Sequence, residues 1–157
     1  MALTKLQLTK LDCAKRQLQT AIALYFHFGE PVSIHTLASA AYALLQNLNS
    51  SRGGEPMIKD VKLIKEEFRG EVRKKMNEYQ NFFKHADKDP TGSIEFNPLV
   101  TECFIFESAI KYFQLTNEKI TNLHIFTLWF SLWNPHIQIE ANPSKLEVQD
   151  DMRTHNQ

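Results

Sequence analysis

Apolar residues recur every three or four positions through most of the chain, and strict two-residue alternation is scarce. That periodicity predicts helices rather than strands. Between Thr9 and Phe28, Leu11, Ala14, Leu18, Ala21, Ile22 and Tyr25 share one face, with Lys15, Arg16 and Gln19 between them. Gly29 is expected to end this helix and Pro31 to open the next. The second helix, Pro31 to Asn49, is rich in Ala38, Ala40, Ala41 and Ala43, which favour helix and let another backbone approach closely. Ser50 to Gly54 reads as a loop. A charged helix, or two short ones, is expected from Met57 to about Phe68, with Gly70 interrupting before a longer helix over Glu71–Ala86.

Two very apolar helices should follow. Asn97-Pro98 reads as N-cap and first helical residue of a segment running to Leu115. Glu107 and Lys111 are spaced to pair on its remaining exposed face. Thr116 is expected to cap the last helix, Asn117 to Trp133. Neither segment reaches the charge-free stretch of about 20 residues that a membrane span needs. The fold class is therefore all-α, a single-domain bundle of five or six helices over residues 1–135, with residues 136–157 as a loosely ordered tail. The Phe and Trp content from Phe96 to Trp133 exceeds what a small monomer would bury, so a homodimer is expected.

Composition narrows the classes. At 157 residues, 43% hydrophobic and 23% charged, the chain suits one ordinary globular domain. Lys+Arg and Asp+Glu are both 18, so no global polycation exists to grip nucleic acid. The charge is unevenly spread: residues 57–88 hold 9 basic and 6 acidic groups, whereas residues 89–157 hold 4 and 9. The middle segment is thus the expected phosphate-facing surface. Two Cys without close spacing, and no apolar leader at the start, fit a reduced cytoplasmic protein.

Several local patterns offer chemistry. Asp87-x-Asp89-x-Thr91-Gly92 has the opening of a calcium loop, but the twelfth position, which must supply a bidentate carboxylate, is Pro98. A turn explains those residues better, and no metal or other cofactor is expected. His35 reads as a hydrogen-bonded packing residue, His124 as a core His, and Cys13 and Cys103 as small core residues. Trp129 and Trp133, one turn apart, are expected in the core. The strongest constellation is on the helix before Asp87. Val72, Met76, Tyr79, Phe83 and Ala86 collect on the core side; Arg73, Asn77, Gln80 and Lys84 form a polar stripe, and Asn81 and His85 lie nearly opposite the core. His85 there suits general acid–base work, and Lys84 suits a phosphate.

Asn81-x-x-x-His85, late in a small bundle with an Ala-rich second helix, resembles the HEPN superfamily, whose motif is Arg-Asn-x-x-x-His. Asn-Phe-Phe-Lys-His-Ala-Asp-Lys-Asp-Pro, followed by Glu95-Phe96-Asn97-Pro98, is also similar to bacterial helical proteins of this length. The resemblance implies a metal-independent RNase-like or nucleotide-handling protein, with two protomers meeting at the motif. His85 and Asn81 then become the catalytic candidates, and Gln80, Lys84, Arg73 and Asn77 the ligand-binding ones. Gln80 stands where the motif has Arg and cannot clamp a phosphate bidentately, so catalysis is expected to be weak or absent. Two other readings stay open: a non-catalytic protein–protein interaction module, and a metal-dependent hydrolase built on His85, Asp87 and Asp89.

Overall fold

The computed structural model describes residues 4–57 and 66–135, with the backbone alone over 66–72. Five helices follow in order: α1 (Lys10–Phe26), α2 (Pro31–Ser51), α3 (Glu66–Lys84), α4 (Leu99–Thr116) and α5 (Thr121–Trp133). No strand occurs among the described residues, and the segment around Ser93–Phe96 is irregular coil. The all-α class is thus the observed one. No described helix is long and apolar enough to cross a membrane.

The helix limits follow from end chemistry. Thr9 caps α1: its hydroxyl accepts the Asp12 amide, while the Asp12 carboxylate accepts the Thr9 amide, a reciprocal box that satisfies two free donors. At the other end the helix stops at Phe26, two residues earlier than predicted. Gly29 donates to the Leu24 carbonyl at 2.7 Å and Phe28 to that of Tyr25 at 3.4 Å, the paired bonds of a Schellman turn. The left-handed position of that turn is Phe28, at φ 55°, not the glycine after it. Gly29 is needed for room, because a Cβ there would lie 2.8 Å from the Leu24 carbonyl oxygen. Glu30 then caps α2 by accepting the Val32 and Ser33 amides, with Pro31 in the first turn.

Elsewhere the boundaries move for visible reasons. Helix α2 continues through Ser51, beyond the predicted Asn49. Helix α3 runs unbroken through Gly70, which does not interrupt it, and ends at Lys84. The charged helix expected from Met57 falls mostly on residues outside those described. Helix α4 starts at Leu99, so Pro98 rather than Asn97 takes the cap position; the Asn97 side-chain oxygen still accepts the Leu99 amide at 3.0 Å. Thr116 belongs to α4 rather than capping α5; its hydroxyl donates to the Tyr112 carbonyl and accepts the Glu118 amide. Helix α5 therefore begins at Thr121, four residues later than predicted. The expected tail, residues 136–157, lies outside the described residues.

Helix α2 is buried between α1 and α4. Ala38, Ala41, Tyr42 and Leu45 lie inside, against Ala14, Leu18 and Ala21 of α1 and Phe104 and Ile105 of α4. Phe126 and Phe130 of α5 close the core, the latter stacked on Phe106 at 4.5 Å. Lys111, expected on the exposed face, is only 7% exposed, and its ammonium reaches the Glu55 carbonyl at 3.3 Å. The same carbonyl accepts from the Asn49 amide group at 2.7 Å. Arg52 crosses from the end of α2 to the Leu115 carbonyl at 3.0 Å.

Glu118 joins three elements, accepting from Lys15 of α1 and, at 2.6 Å, from the Tyr112 hydroxyl of α4. These two donors hold its carboxyl below the ordinary value of 4.5. Folding therefore favours the ionised form: the contribution is full above the unfolded value and is lost as pH falls through the lower folded one. Glu118→Gln should shrink the drop in melting temperature between pH 5 and pH 3. Parallel thermal melts of the variant and wild type check this.

Candidate functional site

The sequence pattern points to the C-terminal end of α3, and the structure divides those residues. Arg73, Asn81, Lys84 and His85 are exposed, whereas Asn77 and Gln80 are half-buried. The opposite side of α3 packs inward, with Met76 on the core and the Tyr79 hydroxyl accepting the Asn97 amide at 3.1 Å. Ala86, expected on that core side, is exposed because the helix has already ended. His85 sits just past the last helical residue; its amide still donates to the Asn81 carbonyl at 3.1 Å. Its Nδ1 lies 3.8 Å from an Asp87 carboxylate oxygen, both side chains being largely in solvent. Asn81 and His85 thus share an open polar surface, away from the aromatic cleft described below.

The other histidines behave differently from one another. His35 is fully buried; its Nδ1 is 2.8 Å from the Thr101 hydroxyl. The rings of Phe96, Phe83, Phe104 and Tyr79 surround it at 5.4, 5.6, 5.6 and 5.8 Å. It is a packing residue that locks α3 and the approach to α4 onto α2. His124, expected in the core, is exposed on α5. Cys13 and Cys103 are half-buried, and burial beside Glu102 and Glu107 pushes the Cys103 thiol up to about 11, which keeps it protonated and unreactive at neutral pH. Among the described residues no three His, Cys, Asp or Glu side chains gather to hold a metal ion. The Asp89 carboxylate instead folds back against Gly92 within the turn.

A concave site exists at a place the sequence reading passed over. Helices α1 and α5 end, and α2 and α4 begin, around an apolar cleft of about 410 Å³. Tyr25 and Phe26 come from α1, Ile34 from α2, Thr101 from α4 and Trp129 from α5; Pro31, Phe96 and Pro98 complete the walls. The wall aromatics brace one another, with Tyr25 5.3 Å and Phe26 5.9 Å from Trp129, ring to ring. The Tyr25 hydroxyl donates to a Glu102 carboxylate oxygen at 2.6 Å. Burial, reinforced by that carboxylate, raises the phenol well above its ordinary value, so Tyr25 stays a neutral donor. Phe28 stands at the mouth, 99% exposed. Beyond Trp129, Trp133 stacks on it at 6.4 Å but is 73% exposed, outside the core that its helical spacing predicted. One sequence signal was available: Phe26 and Phe28 flank a helix-ending turn, where polar residues are the rule.

Compared with family models, curated proteins and solved structures, the chain matches none of them.

The two histidines give opposite expectations for stability. His85→Ala should change the unfolding free energy by less than about 0.5 kcal/mol, because its side chain is in solvent. His35→Ala should cost on the order of 2–5 kcal/mol, combining a lost buried contact set with an orphaned Thr101 hydroxyl. Urea unfolding of both variants measures the difference.

Proposed function

We propose that the chain is a non-catalytic interaction module that takes a protein partner at the aromatic cleft. The observation that carries this is Phe28. A left-handed backbone costs an ordinary L-residue roughly 1–2 kcal/mol, which is why glycine dominates that helix-ending position. Here the position holds a phenylalanine with its ring in water. Folding gains nothing from that side chain, whereas a binding surface gains an aromatic anchor beside a preformed apolar cavity. The cleft volume is within the range of ligand sites, and its few polar groups, the Tyr25 and Thr101 hydroxyls, would orient an occupant.

A second reading has its own support. Arg73, Lys74, Asn81, Lys84 and His85 form one exposed polar surface of α3, which suits RNA or a nucleotide in the HEPN-like manner. Gln80 leaves it without the motif's guanidinium, so binding with weak or absent cleavage is the form this reading takes. The exposed Ile125, Leu132 and Trp133 of α5 support the homodimer that it requires.

Phe28→Gly separates binding from folding. It should raise the unfolding free energy by about 1 kcal/mol by relieving the backbone. It should also lower binding at least tenfold for peptides selected from a displayed library on the wild-type chain. His85→Ala should leave those peptides bound. If selection yields no Phe28-dependent peptide, while mixed cellular RNA in chelator binds wild type and not His85→Ala, the second reading replaces the first.

A further inference from the structure

Three glutamates adjoin the cleft lining along the chain, and their charge selects an occupant. Glu30 lies between the lining residues Gly29 and Pro31, Glu95 precedes Phe96, and Glu102 follows Thr101 and holds the Tyr25 hydroxyl. No Lys or Arg is adjacent in sequence to any lining residue. Among the described residues, no Lys or Arg forms an ion pair with any of these three carboxylates.

Helix dipoles do not cancel this charge. The N-termini of α2 and α4 face the cleft, but each already carries a carboxylate, Glu30 at the cap and Glu102 in the first turn. The C-termini of α1 and α5 face it too, and neither has a basic residue in its last turn. His27, just past α1, has its Nδ1 on the Ala23 carbonyl at 2.7 Å. The positive helix ends are offset and the negative ends are not. An apolar hole whose lining residues are flanked in the chain by carboxylates is complementary to an apolar side chain carried between cations.

Resting on the reading of the cleft as the binding surface, we propose that its occupant is a basic segment of a partner protein. One large apolar side chain sits between Phe28 and Trp129, and flanking Lys or Arg side chains meet Glu30, Glu95 and Glu102.

The test is calorimetric titration of the full chain with four synthetic peptides. Three share a central Leu-Trp-Leu and differ only in flanks of Lys, Ser or Glu; the fourth has the Lys flanks around Ser-Ser-Ser. The Lys-flanked apolar peptide should bind about tenfold tighter than the Ser-flanked one at low salt, and the Glu-flanked one more weakly still. About 0.5 M salt should bring the first two within about twofold, because screening acts on exposed charges. Glu95→Lys should lower the Lys preference several-fold, and Phe28→Gly should weaken both peptides together.

Equal binding of Lys- and Ser-flanked peptides, both lost in Phe28→Gly, overturns the charge inference and leaves the cleft reading standing. No binding by any apolar peptide overturns both. Equal binding of the peptide lacking the apolar centre shows attraction by charge alone and overturns the proposal. So does a chain whose mass doubles with concentration in wild type but not in Phe28→Gly, because a second copy then fills the cleft.

Discussion

The close burial of α2 between α1 and α4 is the constraint on which the molecule depends. A helix covered on two sides needs neighbours that approach closely, and small residues permit it: Ala38 and Ala41 on α2, Ala14 and Ala21 on α1. The space left by those alanines is filled by a few large groups, Tyr42, Phe104 and Leu45 above all. Once α2 is fixed, α5 has one remaining face to cover, and α3 docks through the rings around His35. The cleft follows from the same arrangement. Two helices end and two begin at one pole, where turns and prolines rather than alanines line the cleft.

Much of this architecture was legible as pattern. The core face of α1 is where its spacing put it, since burial along a regular helix obeys its period, and two of the α2 alanines, Ala38 and Ala41, are buried as close approach requires. Errors arose where local rules met competing partners. Lys111 looked exposed from its i,i+4 relation to Glu107, yet the Glu55 carbonyl draws its ammonium inward, a contact between distant segments that periodicity does not encode. Thr116 looked like a cap for α5, yet its hydroxyl serves its own helix and the Glu118 amide. Trp133 and His124 follow an apolar helix outward because α5 has more apolar faces than the bundle has places to cover.

The functional surface was less legible for a different reason. Asn81 and His85 attract attention because polar pairs at helical spacing look like chemistry, and their exposure on α3 agrees with the sequence reading. Exposure alone creates no reactive environment, however: the imidazole is largely in solvent, 3.8 Å from an Asp87 carboxylate oxygen. The cleft residues come from four helices and two connections, and most are ordinary core types. No spacing rule links Tyr25 to Trp129 or to Glu102. Only the departure at Phe28, an aromatic in a turn, marks the place in the linear chain.

The placement of the indoles has a spectroscopic consequence. The chain holds 2 Trp, and Trp129 and Trp133 are stacked on one another with planes 20° apart. All intrinsic indole emission therefore originates at one pole of the bundle. Such emission is sensitive to solvent at the end of α5 and blind to the opposite pole, where Arg52 meets the Leu115 carbonyl. An unfolding curve followed by emission would track the loosening of the aromatic pole, and a backbone signal would track all five helices.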